Sequence, residues 1–369
     1  MLKNFWYACE FSSAIVHKPK SIKMLGQNFV LYRDRQEQIV ALKDQCPHRG
    51  AALSLGWVED NCIRCPYHGW KFRSDGQCTD IPANGPAGSL PPKAQVATYP
   101  VQEKYGFIWI FYGDLPEARR PPIPPLPEYD DPSFHSISVS VKFNAHYTRV
   151  IENALCPAHM ATVHANSFGA GFAEDPRVAP YQVESRPWGL SAKLQYANYT
   201  KPKGIFKLFF RPSRTTLNAR TTFYMPNITI VESDFVRGKM VNYAIHLPVD
   251  DTTTISKRMQ FRNVFIQRWM QRWIDPLFVK FHYKVCEEDR AVSESQYPPV
   301  IPDSFSEEVH TPADALPLAY RKLRQQCIAL GWGTKPSSQP AQITDRLNDQ
   351  LEVAVTDQLV VDAKAGSSI

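Results

Sequence analysis

The chain has 369 residues, 43% hydrophobic and 21% charged, a composition that can bury one large core or two ordinary ones and that excludes a disordered or fibrous protein. Its net charge of +6, from 42 basic and 36 acidic residues with no long like-charged run, excludes a surface that tracks nucleic acid and leaves room for an acidic protein partner. The longest uncharged apolar stretch, residues 106–113, falls far short of the roughly 20 residues a bilayer requires, the N-terminus lacks a secretory pattern, and eight cysteines are too sparse for a disulfide scaffold, so a cytoplasmic protein with no membrane span is expected.

In chain order, residues 29–32, 39–42 and 107–112 are rich in β-branched and aromatic side chains between turn signals, which predicts a small antiparallel domain. Pro116, Pro121, Pro122, Pro124, Pro125, Pro127 and Pro132 follow closely on one another. Proline at that density cannot enter a ladder or a helix interior, so this segment reads as an extended connector. Residues 136–143 alternate as a strand, and 149–163 read as a helix disturbed at Pro157. Strand-like runs at 221–224, 228–231 and 240–247 precede a long helix over 266–293, whose apolar positions recur every three or four residues. A last helix at 318–330, with Pro317 suited to its first turn, leads into a tail from Gly333 that is first rich in Ser, Gln and Pro. There is no internal repeat, and the second part reads as α+β, a sheet with helices on it.

Two matched motifs stand in the first part: Cys46 and His48 in CPHRG, and Cys65 and His68 in CPYHGW. Each sets a thiolate and an imidazole on a tight loop, stiffened by Pro47 or Pro66 and freed to turn by Gly50 or Gly69. Two such loops can grip one centre from opposite sides. The thiolate pair favours an iron that stays ferric and the imidazole pair the iron that accepts the electron, the logic of a Rieske [2Fe–2S] cluster. A Cys2His2 zinc site, with Cys62 and Cys65 as a CxxC, and incidental buried cysteines are the alternatives. The two motifs resemble the Rieske domain of ring-hydroxylating oxygenases and related non-haem iron monooxygenases. The extra cysteines of respiratory Rieske proteins are replaced by Ala51 and Tyr67, which implies the low-potential, soluble type. Cys9, Cys62, Cys78, Cys286 and Cys327 match no metal spacing among themselves and read as small buried residues.

The second part carries ENALCPAHMATVH from Glu152 to His164. His159 and His164 are five residues apart, about 140° around an ideal helix, so the helix must break for both to face one metal. With a carboxylate they would make the 2-His-1-carboxylate set of non-haem iron oxygenases. Candidates are Glu287, Glu288 and Asp289 in VCEEDRAVSESQ, unless these form one solvated helix face.

The resemblance to Rieske oxygenases covers about residues 1–330 and implies an α+β chain: an all-β Rieske domain at 1–115, the connector at 116–135, and at 136–332 a helix-grip type catalytic domain with an antiparallel sheet and helices, then the tail at 333–369. It places the carboxylate ligand at Asp289, with Glu288 the runner-up. Asn153 matches the family's asparagine and Glu152 precedes it, but Cys156 stands where the family has an aspartate that links cluster and iron between subunits. A thiol is a weak acceptor, so slower electron transfer is expected, unless Glu152 supplies the bridge. The family implies a terminal oxygenase that takes electrons from NAD(P)H through a ferredoxin and/or reductase, since the chain has no GxGxxG fingerprint, and that uses O2 to hydroxylate or oxidatively demethylate a small organic substrate. It implies a homotrimer of the α-only kind. A small aromatic, heterocyclic or alkaloid-like substrate is favoured over a chlorophyll-derived tetrapyrrole; a carrier with a lapsed iron site and a zinc structural protein are the other readings. Arg49, Arg64, Lys71 and Arg73 beside the cluster loops suggest a positive rim for an acidic ferredoxin.

Overall fold

The computed structural model describes residues 1–334 except 87, 173–174, 198–215, 236–237 and 264–267. The start expected for the long helix, at Ile266, and nearly all of the tail at 333–369 therefore lie outside the described residues. The chain divides into two compact units: Lys3–Ile123 with Leu247–Asp251, and Met1–Leu2 with Pro124–His246 and Thr252 onward. No helix among the described residues is long and apolar enough to cross a membrane.

The first unit is all β. Its strands are β1 (Phe5–Phe11), β2 (Lys20–Met24), β3 (Gln27–Arg33), β4 (Ile39–Lys43), β5 (Trp57–Glu59), β6 (Cys62–Arg64), β7 (Lys71–Phe72), β8 (Cys78–Asp80), β9 (Thr98–Tyr99), β10 (Val101–Lys104) and β11 (Phe107–Tyr112). They form three antiparallel sheets, ordered β1-β11-β10, β2-β3-β4-β9 and β5-β6-β7-β8. Val30, Tyr32, Leu42, Ile63 and Phe72 pack into one core that reaches Cys46 and Cys65. The two metal-motif loops are thereby seated on the hydrophobic interior.

The second unit is built on a seven-stranded antiparallel sheet in the order β12-β18-β17-β16-β15-β14-β13. Its strands are β12 (His135–Phe143), β13 (Val183–Arg186), β14 (Gly189–Ala197), β15 (Thr216–Tyr224), β16 (Ile228–Phe235), β17 (Gly238–Pro248) and β18 (Thr254–Arg262). Inward residues Val141 and Phe143 of β12 pack with Cys286 of the long helix Arg268–Ser295 and with Val150 of the helix Tyr147–Leu155. The expected strands are thus present, but longer than their apolar runs. β18 goes unrecognised in the sequence because Lys257, Arg258 and Arg262 interrupt its apolar pattern; Arg262 is buried and is paired with Asp275. The connector is extended except for a 3-10 turn at Glu117–Arg119 and a short helix at Pro127–Asp130, with Pro127 at its first position, where no N–H is needed. The last helix is Ala315–Cys327, three residues earlier than expected, and a wider turn over Ile328–Trp332 follows it.

Four buried or half-buried charges lock that last helix to the Tyr147–Leu155 helix. Glu152 accepts from Arg149 at 3.3 Å and from Arg321 Nη2 at 3.0 Å, while Glu308 accepts from Arg149 at 2.9 Å and also pairs with Arg321. Removing one member strands its partners' charge away from water. Glu152→Ala is therefore expected to destabilise the protein by about 3–5 kcal/mol in chemical denaturation, whereas a surface pair such as Arg73–Asp75 should contribute under about 1 kcal/mol.

Candidate functional site

The two loops of the first unit are near copies of each other. Cys46 N–H donates to Ala51 O at 2.8 Å and Gly50 N–H returns to Cys46 O at 2.9 Å; Cys65 N–H donates to Trp70 O at 2.9 Å and Gly69 N–H to Cys65 O at 3.1 Å. Gly50 and Gly69 both close their turns in the left-handed region, at φ 78° and 72°. The His48 and His68 rings lie 4.7 Å apart, His48 stacked on Trp70 and His68 on Tyr67. Both thiols are buried, and that burial, with Cys65 beside it, pushes the Cys46 thiol up to about 11. Two facing thiols here suit a cationic centre that would hold them as thiolates. His48 Nδ1 is buried with no hydrogen-bond partner among the described residues, which leaves its lone pair for such a centre. Cys62 stands in β6 opposite Glu59, outside the loops, so the CxxC required for the zinc alternative does not form a ligand loop.

The expected positive rim is corrected. Arg64 pairs with Glu59 and Asp80, Lys71 with Glu59 and Asp60, and Arg73 with Asp75. Among the described residues only Arg49 of the four has no acidic partner, so most of the field is cancelled within the same surface.

In the second unit the helix Tyr147–Leu155 stops at Cys156, whose ψ of 119° is extended, and a second short helix, Met160–Val163, begins after His159. That break brings the two histidines together, with ring centroids 5.1 Å apart. Asp289 Oδ1 lies 3.6 Å from His159 Nε2 and 3.2 Å from His164 Nε2. The three ligand atoms are all within 4.8 Å of one another. Asn153 Nδ2 donates to Asp289 Oδ1 at 2.9 Å. Burial opposes the charge on Asp289, but the His164 hydrogen bond, Arg258 and the two imidazoles outweigh it and hold the carboxyl at about 2. Burial conversely lowers His159, keeping it neutral and able to act as a ligand.

The acidic stretch is not one solvated face. Glu287 pairs with Arg290 at the surface, whereas Asp289 is 6% exposed. Glu288, the runner-up ligand, instead takes His164 Nδ1 at 2.8 Å and Ser167 Oγ at 2.6 Å on one oxygen. It therefore fixes the His164 tautomer and leaves Nε2 for a metal, a role that sequence reasoning missed. Glu152 accepts the hydrogen bonds of its carboxylate from Arg149 and Arg321. The half-buried Cys156 thiol is raised by burial, and the residue's N–H, donating to Glu152 O at 2.9 Å, closes the end of the helix.

A family model described as "Rieske [2Fe-2S] domain" matches residues 5–100, and one described as "Vanillate O-demethylase oxygenase C-terminal domain" matches 143–330. The 4beta-methylsterol monooxygenase of Methylococcus capsulatus is 30% identical over 261 residues, 69% of this chain and 67% of that protein. The toluene-4-sulfonate monooxygenase system iron-sulfur subunit TsaM1 of Comamonas testosteroni is 33% identical over 173 residues, 47% of this chain and 49% of that protein. Beyond the first, the matches span about half or less of the curated relatives' length. Among solved structures, NdmB of Pseudomonas putida CBB5 superposes with a TM-score of 0.73 at 26% identity, over 89% of this chain and 92% of that one. Dicamba monooxygenase bound to 3,6-dichlorosalicylic acid shares the fold, with a TM-score of 0.77 at 21% identity over 90% of this chain and 98% of that one.

Glu288→Ala is expected to weaken ferrous ion binding at the histidine pair by about 10–100-fold in anaerobic titration, because His164 loses the group that orients it. Asp289→Ala should abolish binding there while leaving the visible spectrum of the other unit unchanged.

Proposed function

The chain belongs to the Rieske non-haem iron oxygenases, oxidoreductases with a [2Fe–2S] cluster and a mononuclear iron, and on that footing we propose that Cys46, His48, Cys65 and His68 hold the cluster and that His159, His164 and Asp289 hold the iron. The observation that carries this reading is the convergence of three ligand atoms within 4.8 Å, with Asn153 and Glu288 steadying two of them. When bound, the cluster would supply electrons singly and the iron would activate dioxygen. The chain's own part is to place and orient. Glu288 holds the proton on His164 Nδ1, Asn153 fixes Asp289, and the break at Cys156 turns His159 toward His164.

The activity we assign is that of a terminal oxygenase that receives electrons from NAD(P)H through a ferredoxin and/or reductase and hydroxylates or oxidatively demethylates a small aromatic or heterocyclic compound. A homotrimer, in which one subunit's cluster serves the next subunit's iron, completes the reading. A methyl group on a bulkier alicyclic skeleton is the second reading, because the relative matched over 261 residues is named for a 4β-methylsterol.

Anaerobically purified protein is expected to hold about three irons per chain and to give, on reduction, the low average g of mixed histidine and cysteine ligation. Two irons would make it an electron carrier, and one zinc without colour would refute the cluster. Cys156→Asp, which restores the family's carboxylate, should speed oxidation of the reduced cluster by oxygen and substrate by about 10–100-fold in single turnover. An unchanged rate would make Cys156 an inert packing residue.

A further inference from the structure

Past its second histidine the chain folds back onto the short helix that lies between His159 and His164. The segment from Ala165 ends in a 3-10 helix, Phe168–Phe172, and it meets that backbone at a point with no room for a side chain. A Cβ on Gly169 would stand 2.1 Å from Met160 O and 2.6 Å from both the carbonyl carbon and the oxygen of His164. The atoms it would meet are main chain and cannot rotate away. Gly169 lies outside the left-handed region, so close contact rather than backbone conformation requires a glycine here.

The same segment is fastened to the long helix at two places one turn apart. Lys284 Nζ donates to Asn166 O, and four residues later Glu288 accepts Ser167 Oγ at 2.6 Å on the oxygen that also takes His164 Nδ1 at 2.8 Å. Ser167 N–H donates back to His164 O at 2.9 Å. The Phe168 ring lies against the His164 imidazole, with centroids 4.6 Å apart and planes at 31°. His164 is thus held at its Nδ1 edge, on one ring face and at its carbonyl. His159 is held less: its Nδ1 is buried with no hydrogen-bond partner among the described residues. The two imidazoles are therefore unequal, one fixed by its surroundings and one left to settle on the other two ligands.

We propose that Ser167, Phe168 and Gly169 are positioning residues, a clasp that presets His164 before the metal arrives, with Gly169 the contact that lets the clasp close. The proposal rests on the assignment of His159, His164 and Asp289 as iron ligands and deepens it: the affinity for a divalent ion depends on this segment as well as on the three ligands. A ring ordered in advance gives up no rotamer freedom on binding. A methyl group at Gly169 must displace either the clasp or the His164 main chain, since the interior is close-packed. Whichever side yields, His164 loses part of its hold.

The test is anaerobic titration of ferrous ion into the full chain freed of mononuclear iron, with chemical denaturation of every variant alongside. Gly169→Ala should weaken binding by about 10–100-fold. Gly189→Ala is its control, because a Cβ there would stand 2.3 Å from Phe223 O, the same kind of main-chain clash at the start of β14. It should lower stability and leave the ferrous affinity unchanged. Ser167→Ala should weaken binding by about tenfold, and Ser167→Thr, which keeps the hydroxyl for Glu288, should restore it. An unchanged affinity in Ser167→Ala overturns the proposal, whether or not Gly169→Ala folds. Equal losses in Gly169→Ala and Gly189→Ala overturn it too, since the clasp would then act through general stability alone. An unaltered chain that takes up no ferrous ion would instead refute the ligand assignment on which the proposal stands.

Discussion

The hydrogen bond from Asn153 to Asp289 ties together two elements far apart in the chain, and the candidate iron centre depends on it and on the packing beneath it. Asn153 lies in the last turn of the helix Tyr147–Leu155, just before the break that frees His159; Asp289 lies on the long helix. Neither element could hold a metal alone. Two histidines on one side and a carboxylate on the other meet only because Cys286, one turn before Asp289, is buried among Val141, Phe143 and Val150. A close-packed interior allows little slip, so the apolar contact sets the distance over which the polar one acts.

Charge is sorted around that core by what each group can reach. Glu152 and Glu288 are both acidic, partly or wholly buried, and close in space to the histidine segment, yet one is spent on two arginines and the other on His164 and Ser167. The first holds the last helix in place, and the second holds an imidazole in one tautomer. Arg258 donates to the Ser256 hydroxyl, and its charge is one of those that hold the Asp289 carboxyl low.

The candidate cluster site is held differently. Both loops are closed by their own backbone hydrogen bonds and seated on one core, so their geometry is local and repeats from one loop to the other. Three of their four basic neighbours are paired within the same surface, which leaves Arg49, shape and the exposed Tyr67, Trp57 and Leu55 to set the character of that rim.

What the sequence by itself determined is whatever rests on local spacing. CPHRG and CPYHGW specify two tight loops with two donor types, the proline run marks the connector, and the five-residue gap between His159 and His164 already demands a broken helix. Only the tertiary structure decided which of three adjacent acids turns toward the histidines. Successive helix residues point about 100° apart, and packing on β12 selects the His282, Cys286 and Asp289 stripe over Glu287. Glu288 flanks that stripe and so reaches the far side of His164, a relation across 124 residues that no spacing encodes. β18 and Arg258 were hidden for the same reason: a charged residue in a strand reads as solvent-facing until register shows it opposite buried Val139.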